Sequence, residues 1–151
     1  MKGLVVERAS VSNAIDVYPL VRLAAREGYF TESPSEHQLR EYYFRVIQEL
    51  NQPHHIFYLA RRGRGFLGVL HAIVIPGRWD GRMNSIYVDL VYVVEKRRQM
   101  GVGKKLLDQL ALDAEEIGIK NFEFLAKDEL VEYWCKERKA KKISNLMRVV
   151  T

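Results

Sequence analysis

The chain has little with which to cross-link itself. It contains one cysteine, Cys135, in 151 residues. An intramolecular disulfide is therefore excluded, and with it the small bridge-dependent scaffolds of oxidising compartments. Four prolines and ten glycines are too few for a collagen-like or low-complexity chain. Long hydrophobic runs are also missing. The longest, from Phe66 to Pro76, falls well short of the roughly 20 residues that span a bilayer. Glu7 and Arg8 break the N-terminal apolar run before it could serve as a signal peptide. These absences lead us to expect a soluble, cytoplasmic protein with no membrane partner. There is no internal repeat, linker or biased segment, so residues 1–151 are expected to form a single domain.

What is present suits a folded core. Apolar residues make up 48% of the chain, which argues against disorder. The formal charge is +5 and the sequence pI about 9.3, a balance that suits anionic ligands in general. The basic residues gather in two places. One group is Lys96, Arg97, Arg98, Lys104 and Lys105, and the other is Lys136, Arg138, Lys139, Lys141 and Lys142.

The first group lies in the stretch that organises the chain. From Ile86 to Val94 every residue but Asp89 is apolar, aromatic or β-branched, the pattern of a strand buried on both faces. Polarity then changes at Glu95-Lys96-Arg97-Arg98, Gly101 and Gly103 follow, and Lys104-Lys105-Leu106-Leu107 opens a helical pattern. A strand, a basic glycine turn and a helix start make a place to hold a phosphate. The first amides of a helix have no partner within it, and its dipole favours an anion there. Glycines let the backbone come close and form a concave nest.

Arg98-Gln99-Met100-Gly101-Val102-Gly103 is an R-x-x-G-x-G segment directly after a strand. It resembles the acetyl-coenzyme A signature of the GNAT N-acetyltransferase superfamily. The resemblance implies acetyl-coenzyme A as cosubstrate. Its pyrophosphate would lie on the backbone of Arg98, Gln99, Met100, Gly101, Val102, Gly103 and Lys104, and its pantetheine arm along Val91 and Val93. The alternative reading of the same residues is a β–α turn without a ligand.

The rest of the chain reads in the same order as that family. Residues 3–9 read as a strand, followed by a helix capped within Ser10–Asn13 with Ile15, Tyr18, Val21 and Ala25 on one face. Pro19 is expected to kink that helix or delay its start to Tyr18, and Gly28 to end it. Ser33-Pro34-Ser35-Glu36 predicts a second helix, with Ser33 as cap and Glu36 closing a capping box. Tyr29 and Phe30 fall between these helices, in a region that in the resembled family borders the acceptor groove. His54–Arg61 and Phe66–Ile75 read as a hairpin around Arg62–Gly65. The glycine turn follows, then a helix carrying Leu106, Leu107, Leu110 and Ala114, a strand over 120–126, a helix from Asp128, and a last strand over 143–150. The predicted fold class is α/β, a GNAT-like mixed central sheet with helices on both faces.

Acyl transfer to an amine needs the amine neutral. At pH 7 a lysine-like amine, with a pKa of about 10.4, costs roughly 4–5 kcal/mol to deprotonate, so a base is needed. Alternation along the strand predicts one face carrying Tyr87, Asp89, Val91 and Val93. In the resembled family the base stands in this part of the strand, at positions taken here by Asp89 and Tyr87, and Asp89 is the candidate. For the acid the family uses a tyrosine in the last helix, within a pattern like F-Y-x-K-x-G-F. The matching stretch here, Tyr133-Trp134-Cys135-Lys136-Glu137-Arg138-Lys139, lacks the G-F. Tyr133 is the candidate acid, and Trp134 and Cys135 are the alternatives if the register shifts. His54 and His55 have no third ligand at a recognisable spacing, so no metal is expected, and His71 reads as a satisfied strand histidine.

The expected reaction is acetyl transfer from acetyl-coenzyme A to a primary amine by direct attack in a ternary complex. The alternative is a non-catalytic module of the same shape that binds coenzyme A or nucleic acid. The second basic group predicts an anionic acceptor, such as a nucleotide, a nucleic acid or an acidic protein segment. The assembly is left open, a homodimer included.

Overall fold

The computed structural model describes residues 2–30, 34–77, 84–124, 134, 136 and 137. β1 (Leu4–Arg8) leads through a 3-10 turn into α1 (Ala14–Arg26) and α2 (Glu36–Leu50). β2 (His55–Arg62), β3 (Gly65–Ile75) and β4 (Ser85–Val93) follow, then α3 (Val102–Glu116) and β5 (Asn121–Phe124). The sheet runs β1-β2-β3-β4-β5, antiparallel through β4, with β5 parallel to β4. This is the mixed α/β sheet that the sequence predicts. The predicted last helix is described only at residues 134, 136 and 137, and the predicted last strand lies outside the described residues.

Alternation sorts side chains to two cores. Tyr58, Leu70, Ile86, Val88, Val91 and Val93 meet Leu106, Leu107 and Leu110 of α3 on one face. Phe57, Leu59, Val69, Leu90 and Tyr92 meet Val17, Leu20 and Val21 of α1 and Val46 of α2 on the other. Each fully buried leucine of α3 contributes about 1.5–3 kcal/mol through removal from water.

Three local expectations are corrected. α1 starts at Ala14 and runs across Pro19, with Ala14, Val17, Leu20, Val21, Ala24 and Ala25 buried. The proline removes one hydrogen bond, but that apolar stripe still holds the helix on the sheet. Ile15 is not on this stripe and is 69% exposed. The cap of α2 is Ser35, whose hydroxyl accepts from the Gln38 amide at 3.2 Å while the Gln38 side chain accepts from the Ser35 amide at 2.8 Å. That box needs Gln38 three residues after the cap, and Glu36 cannot close it.

The third correction is in β4. His71 pairs with Leu90 and the adjacent Ala72 with Val88, so Asp89 has no partner on β3. This β-bulge inserts one residue and reverses the alternation. Val91 and Val93 therefore join Ile86 and Val88 on the α3 side, while Asp89 turns toward α1 and α2. The shared face predicted for Tyr87, Asp89, Val91 and Val93 does not exist.

One glycine sets how closely α3 approaches. A Cβ on Gly68 would come 2.9 Å from the Tyr92 carbonyl oxygen and 3.3 Å from side-chain carbons of Val102 and Leu106. The sheet therefore admits the first turn of α3 only because β3 has no side chain there. Gly68→Ala is expected to lower stability by about 1–3 kcal/mol through overpacking, read by urea unfolding. An unchanged midpoint would show that the α3 contact is loose.

Candidate active site

Around the end of β4 the backbone forms a candidate anion site. Gln99 has φ 64° and Gly101 φ 84°, so two left-handed residues flank Met100 and curl the chain before α3. The first helical bond runs from the Lys105 amide to the Gly101 carbonyl at 3.0 Å, which leaves the Val102, Gly103 and Lys104 amides without an acceptor inside the helix. No side chain caps this terminus and no acid lies in its first turn, so its partial positive charge is not neutralised locally. A Cβ placed on Gly101 would meet nothing within 4 Å.

Three of the basic side chains of this stretch, Arg98, Lys104 and Lys105, are engaged within the protein. Arg98 donates from Nε to the Val93 carbonyl at 2.9 Å and from a terminal nitrogen to Glu27 Oε1 at 2.6 Å. Its guanidinium also lies 5.6 Å from the centre of the Tyr92 ring. Lys104 Nζ pairs with Asp108 at 3.5 Å, and Lys105 Nζ donates to the Leu4 carbonyl at 2.6 Å. The candidate anion site is thus formed by backbone amides of the α3 start, and Arg98 is the strut that ties the turn to the end of α1.

Glu27 is the other end of that strut and also accepts from the Tyr92 hydroxyl. Burial alone would raise its pKa, but the bonds from Tyr92 and Arg98 and the guanidinium charge outweigh it and bring the carboxyl below its ordinary 4.5. Burial and the carboxylate acceptor push the Tyr92 hydroxyl well above its ordinary value. A carboxyl depressed in the folded state adds stability above its unfolded pKa and loses it as pH falls through the folded one. Thermal unfolding of Glu27→Gln should therefore lie below the native protein at pH 7, and the gap should close below about pH 4. A gap that stays constant with pH would mean the carboxylate contributes only shape.

Beside the anion site β4 loses a neighbour. Its pairing with β5 covers Ser85–Val88 against Asn121–Phe124. Among the described residues, Leu90–Val93 pair with β3 but with no strand on the other side, Asp89 pairs with neither, and the Val93 carbonyl takes its further bond from Arg98. A strip of backbone therefore leads from the bulge to the glycine turn.

At the bulge a cavity of about 200 Å³ opens between the sheet, α1 and α2. Phe30, Tyr42, Phe57 and Leu90 give it apolar walls, and Arg45, Glu49, His71 and Asp89 give it its charge and polarity. Asp89 Oδ2 lies 3.0 Å from His71 Nδ1, and His71 Nε2 lies 2.9 Å from His55 Nδ1. An ionised carboxylate only accepts, so His71 donates from Nδ1; when neutral it accepts at Nε2 from His55. The His71 ring stacks on Phe57 at 4.2 Å between centres. The bond from His71 is the main cause that lowers the Asp89 pKa, against burial, with the charges of His71 and Arg45 adding to it. Asp89 is thus a carboxylate at neutral pH, with its side chain 43% exposed. Burial, with the charges of Asp89 and Glu123, raises the Tyr87 pKa and keeps it a phenol.

Of the predicted residues, the structure brings Val91, Val93 and the 98–104 segment into one continuous strip, with Asp89 near its far end. Tyr133 and Cys135 lie outside the described residues. Trp134 is 3% exposed, donates from its indole to Asp108 at 3.0 Å and packs on Phe122 and Phe124. It is a core residue and has no hydroxyl to offer. Sequence reasoning missed Glu27, Glu49 and the bonding of His71, each of which acts through a partner distant in the chain.

The comparisons agree with the fold. The sequence model described as the acetyltransferase (GNAT) family matches residues 18–133. No curated protein matches the chain by sequence. Among solved structures, a predicted acetyltransferase from Clostridium acetobutylicum, determined with acetyl-CoA, superposes with a TM-score of 0.79 at 13% identity, covering 97% of this chain and 96% of that one. A ribosomal-protein-alanine N-acetyltransferase from Brucella melitensis biovar Abortus 2308 gives 0.73 at 18% identity, with 98% of each chain covered. An aminoglycoside acetyltransferase from an uncultured soil metagenomic sample gives 0.72 at 16% identity, covering 99% and 97%. At these identities the structural likeness speaks for the fold.

Proposed function

Since the chain belongs to the GNAT acetyltransferase family, we propose that it moves the acetyl group of acetyl-coenzyme A to the nitrogen of a primary amine, both substrates being bound at once. The observation that carries this reading is the uncapped, acid-free start of α3 after two left-handed residues, continuous with the half-paired edge of β4. The amides of Val102, Gly103 and Lys104 would hold the pyrophosphate, with Gln99, Met100 and Gly101 shaping the nest and Arg98 fixing it. The backbone of Val91 and Val93 would receive the pantetheine arm, which leads the thioester toward the bulge.

There Asp89 would take a proton from the attacking ammonium, directly or through one water. The nitrogen then bonds to the thioester carbon, and a β4 amide can donate to the oxyanion. The carbon–sulfur bond breaks as the intermediate collapses, and coenzyme A leaves as a thiolate that needs a proton. Tyr133 is proposed as that acid on the resemblance alone.

Glu49 and Asp89 in the cavity outnumber its one guanidinium, Arg45, which favours an amine arriving as a cation. The expectation of an anionic acceptor rests on Lys136–Lys142, of which only Lys136 and Glu137 are described. Release of free thiol from acetyl-coenzyme A, measured against an apolar monoamine, spermidine, an acidic peptide and short DNA at rising salt, tests both readings. Turnover with a cationic amine is the expected result. Absence of turnover with any amine, together with co-purified coenzyme A, would favour the non-catalytic module. Activity confined to the peptide or DNA and collapsing steeply with salt would restore the anionic acceptor.

A further inference from the structure

Glu49 and His71 of the cavity wall, together with His55, form a constellation with a ligating capacity beyond what acetyl transfer requires. Glu49 comes from the last turn of α2, His55 from the first residue of β2 and His71 from the middle of β3. Their donor atoms all lie within 4.8 Å of one another. We propose that Glu49, His55 and His71 bind a divalent transition-metal ion, zinc by their chemistry, which would take up the negative charge of the cavity in competition with a cationic amine rather than beside it.

Two imidazole nitrogens and one carboxylate oxygen make a three-ligand zinc set that leaves a tetrahedral position for water. Mixed nitrogen and oxygen donors select against magnesium, which takes oxygen ligands and keeps much of its water. What surrounds the three side chains aims them. Asp89 accepts from His71 Nδ1 at 3.0 Å, which turns the Nε2 lone pair into the cluster. A carboxylate behind a ligating histidine is the usual outer partner of such a site. Arg45 occupies Glu49 Oε1 at 3.0 Å and leaves Oε2, which lies 3.6 Å from His71 Nε2. That gap is too long for a hydrogen bond. His71 and Glu49 are 6% and 16% exposed, so their lone pairs are withheld from bulk water.

Without metal, a proton bridges His55 Nδ1 and His71 Nε2 at 2.9 Å. Two nitrogens about 2.0–2.1 Å from a tetrahedral zinc stand about 3.3 Å apart, so loading asks for a few tenths of an ångström of separation. Because the rings lie edge to edge with centres 5.1 Å apart, it also asks for a turn of the rings that swings both lone pairs off the line between them. His55 can supply this movement because it begins its strand next to the turn over 51–54. The metal takes the place of the Nδ1 proton, and His55 carries its proton on Nε2 instead. Both rings stay neutral.

The test is titration of the full chain, purified through a chelator, with zinc against a metallochromic indicator, with magnesium as the counter-ion control. Cobalt(II) serves as the spectroscopic probe. One zinc per chain is expected, no competition by magnesium, and a cobalt spectrum of tetrahedral rather than octahedral intensity. His55→Ala and Glu49→Gln should each weaken zinc binding at least about tenfold, and Asp89→Asn should weaken it about 10–100-fold as an outer-shell change. His54→Ala should leave it unchanged. Far-UV circular dichroism checks that each variant folds, and the cobalt spectrum of the native chain needs no variant. If zinc binds equally to native protein and His55→Ala, if His54→Ala weakens binding as much as His55→Ala, or if cobalt stays octahedral, the cluster is only a hydrogen-bonded pair of histidines.

Discussion

A Gly101→Glu protein is expected to fold and to bind acetyl-coenzyme A at least about a hundredfold more weakly. Two costs combine. Gly101 has φ 84°, a left-handed conformation that costs an ordinary L-residue about 1–2 kcal/mol, so the turn would relax away from its nest. The new side chain would also point into space empty of protein within 4 Å of its Cβ. A carboxylate there, about 6 Å from a diphosphate charge, is repelled by about 3 kcal/mol at an effective dielectric of about 20. Each 1.4 kcal/mol is tenfold in affinity, so even a partly screened repulsion joined to the backbone cost reaches two decades. Gly101→Ala isolates the backbone cost and should lose about five- to thirtyfold. Calorimetric titration of both variants checks this. An unchanged affinity in folded Gly101→Glu would remove the cofactor from this turn and leave a simple β–α connection.

The strand, turn and helix start of that stretch were legible because they are local. An apolar run, an abrupt change to charge, two glycines and a helical stripe lie within about two dozen consecutive residues. Their order fixes a strand, a turn and a helix start whatever the rest of the chain does. The cap of α2 was misread: Ser33 and Glu36 stand three residues apart just as Ser35 and Gln38 do, and Ser33-Pro34 gave the stronger local signal although the helix is capped by Ser35. The bulge at Asp89 could not be read, because an extra residue exists only relative to the partner strand. One unpaired position in β4 was enough to send Val91 and Val93 to the opposite face from the one expected. The ion pair of Glu27 with Arg98 spans 71 positions and the hydrogen bond of His71 to Asp89 spans 18. No periodicity encodes such pairs. They follow from sheet order and from where α1 ends. The same applies to Glu49, which joins two histidines only once α2 packs against β2.

Asp89→Asn is expected to reduce kcat by about two to four decades while leaving the affinity for acetyl-coenzyme A within about twofold. The range is that of a positioned acid or base in a proton transfer. The substitution is a clean one here because of the neighbour. His71 donates to Asp89 Oδ2, and an asparagine carbonyl oxygen can still accept that bond. The ring therefore stays in place while the negative charge and the ability to hold a proton are both lost. The cofactor strip is spared because the bulge turns Asp89 toward α1 and α2, whereas Val91 and Val93 pack on the α3 side. A purely structural Asp89 would give a different result. Its removal would lower the unfolding midpoint and reduce active protein, with kcat per folded molecule unchanged. Pre-steady-state thiol release, normalised to coenzyme A binding sites and paired with urea unfolding of the same sample, separates the two. Should the variant turn over at the native rate per site, the proton leaves through solvent, and the aspartate serves only to hold His71 in the wall of the cavity.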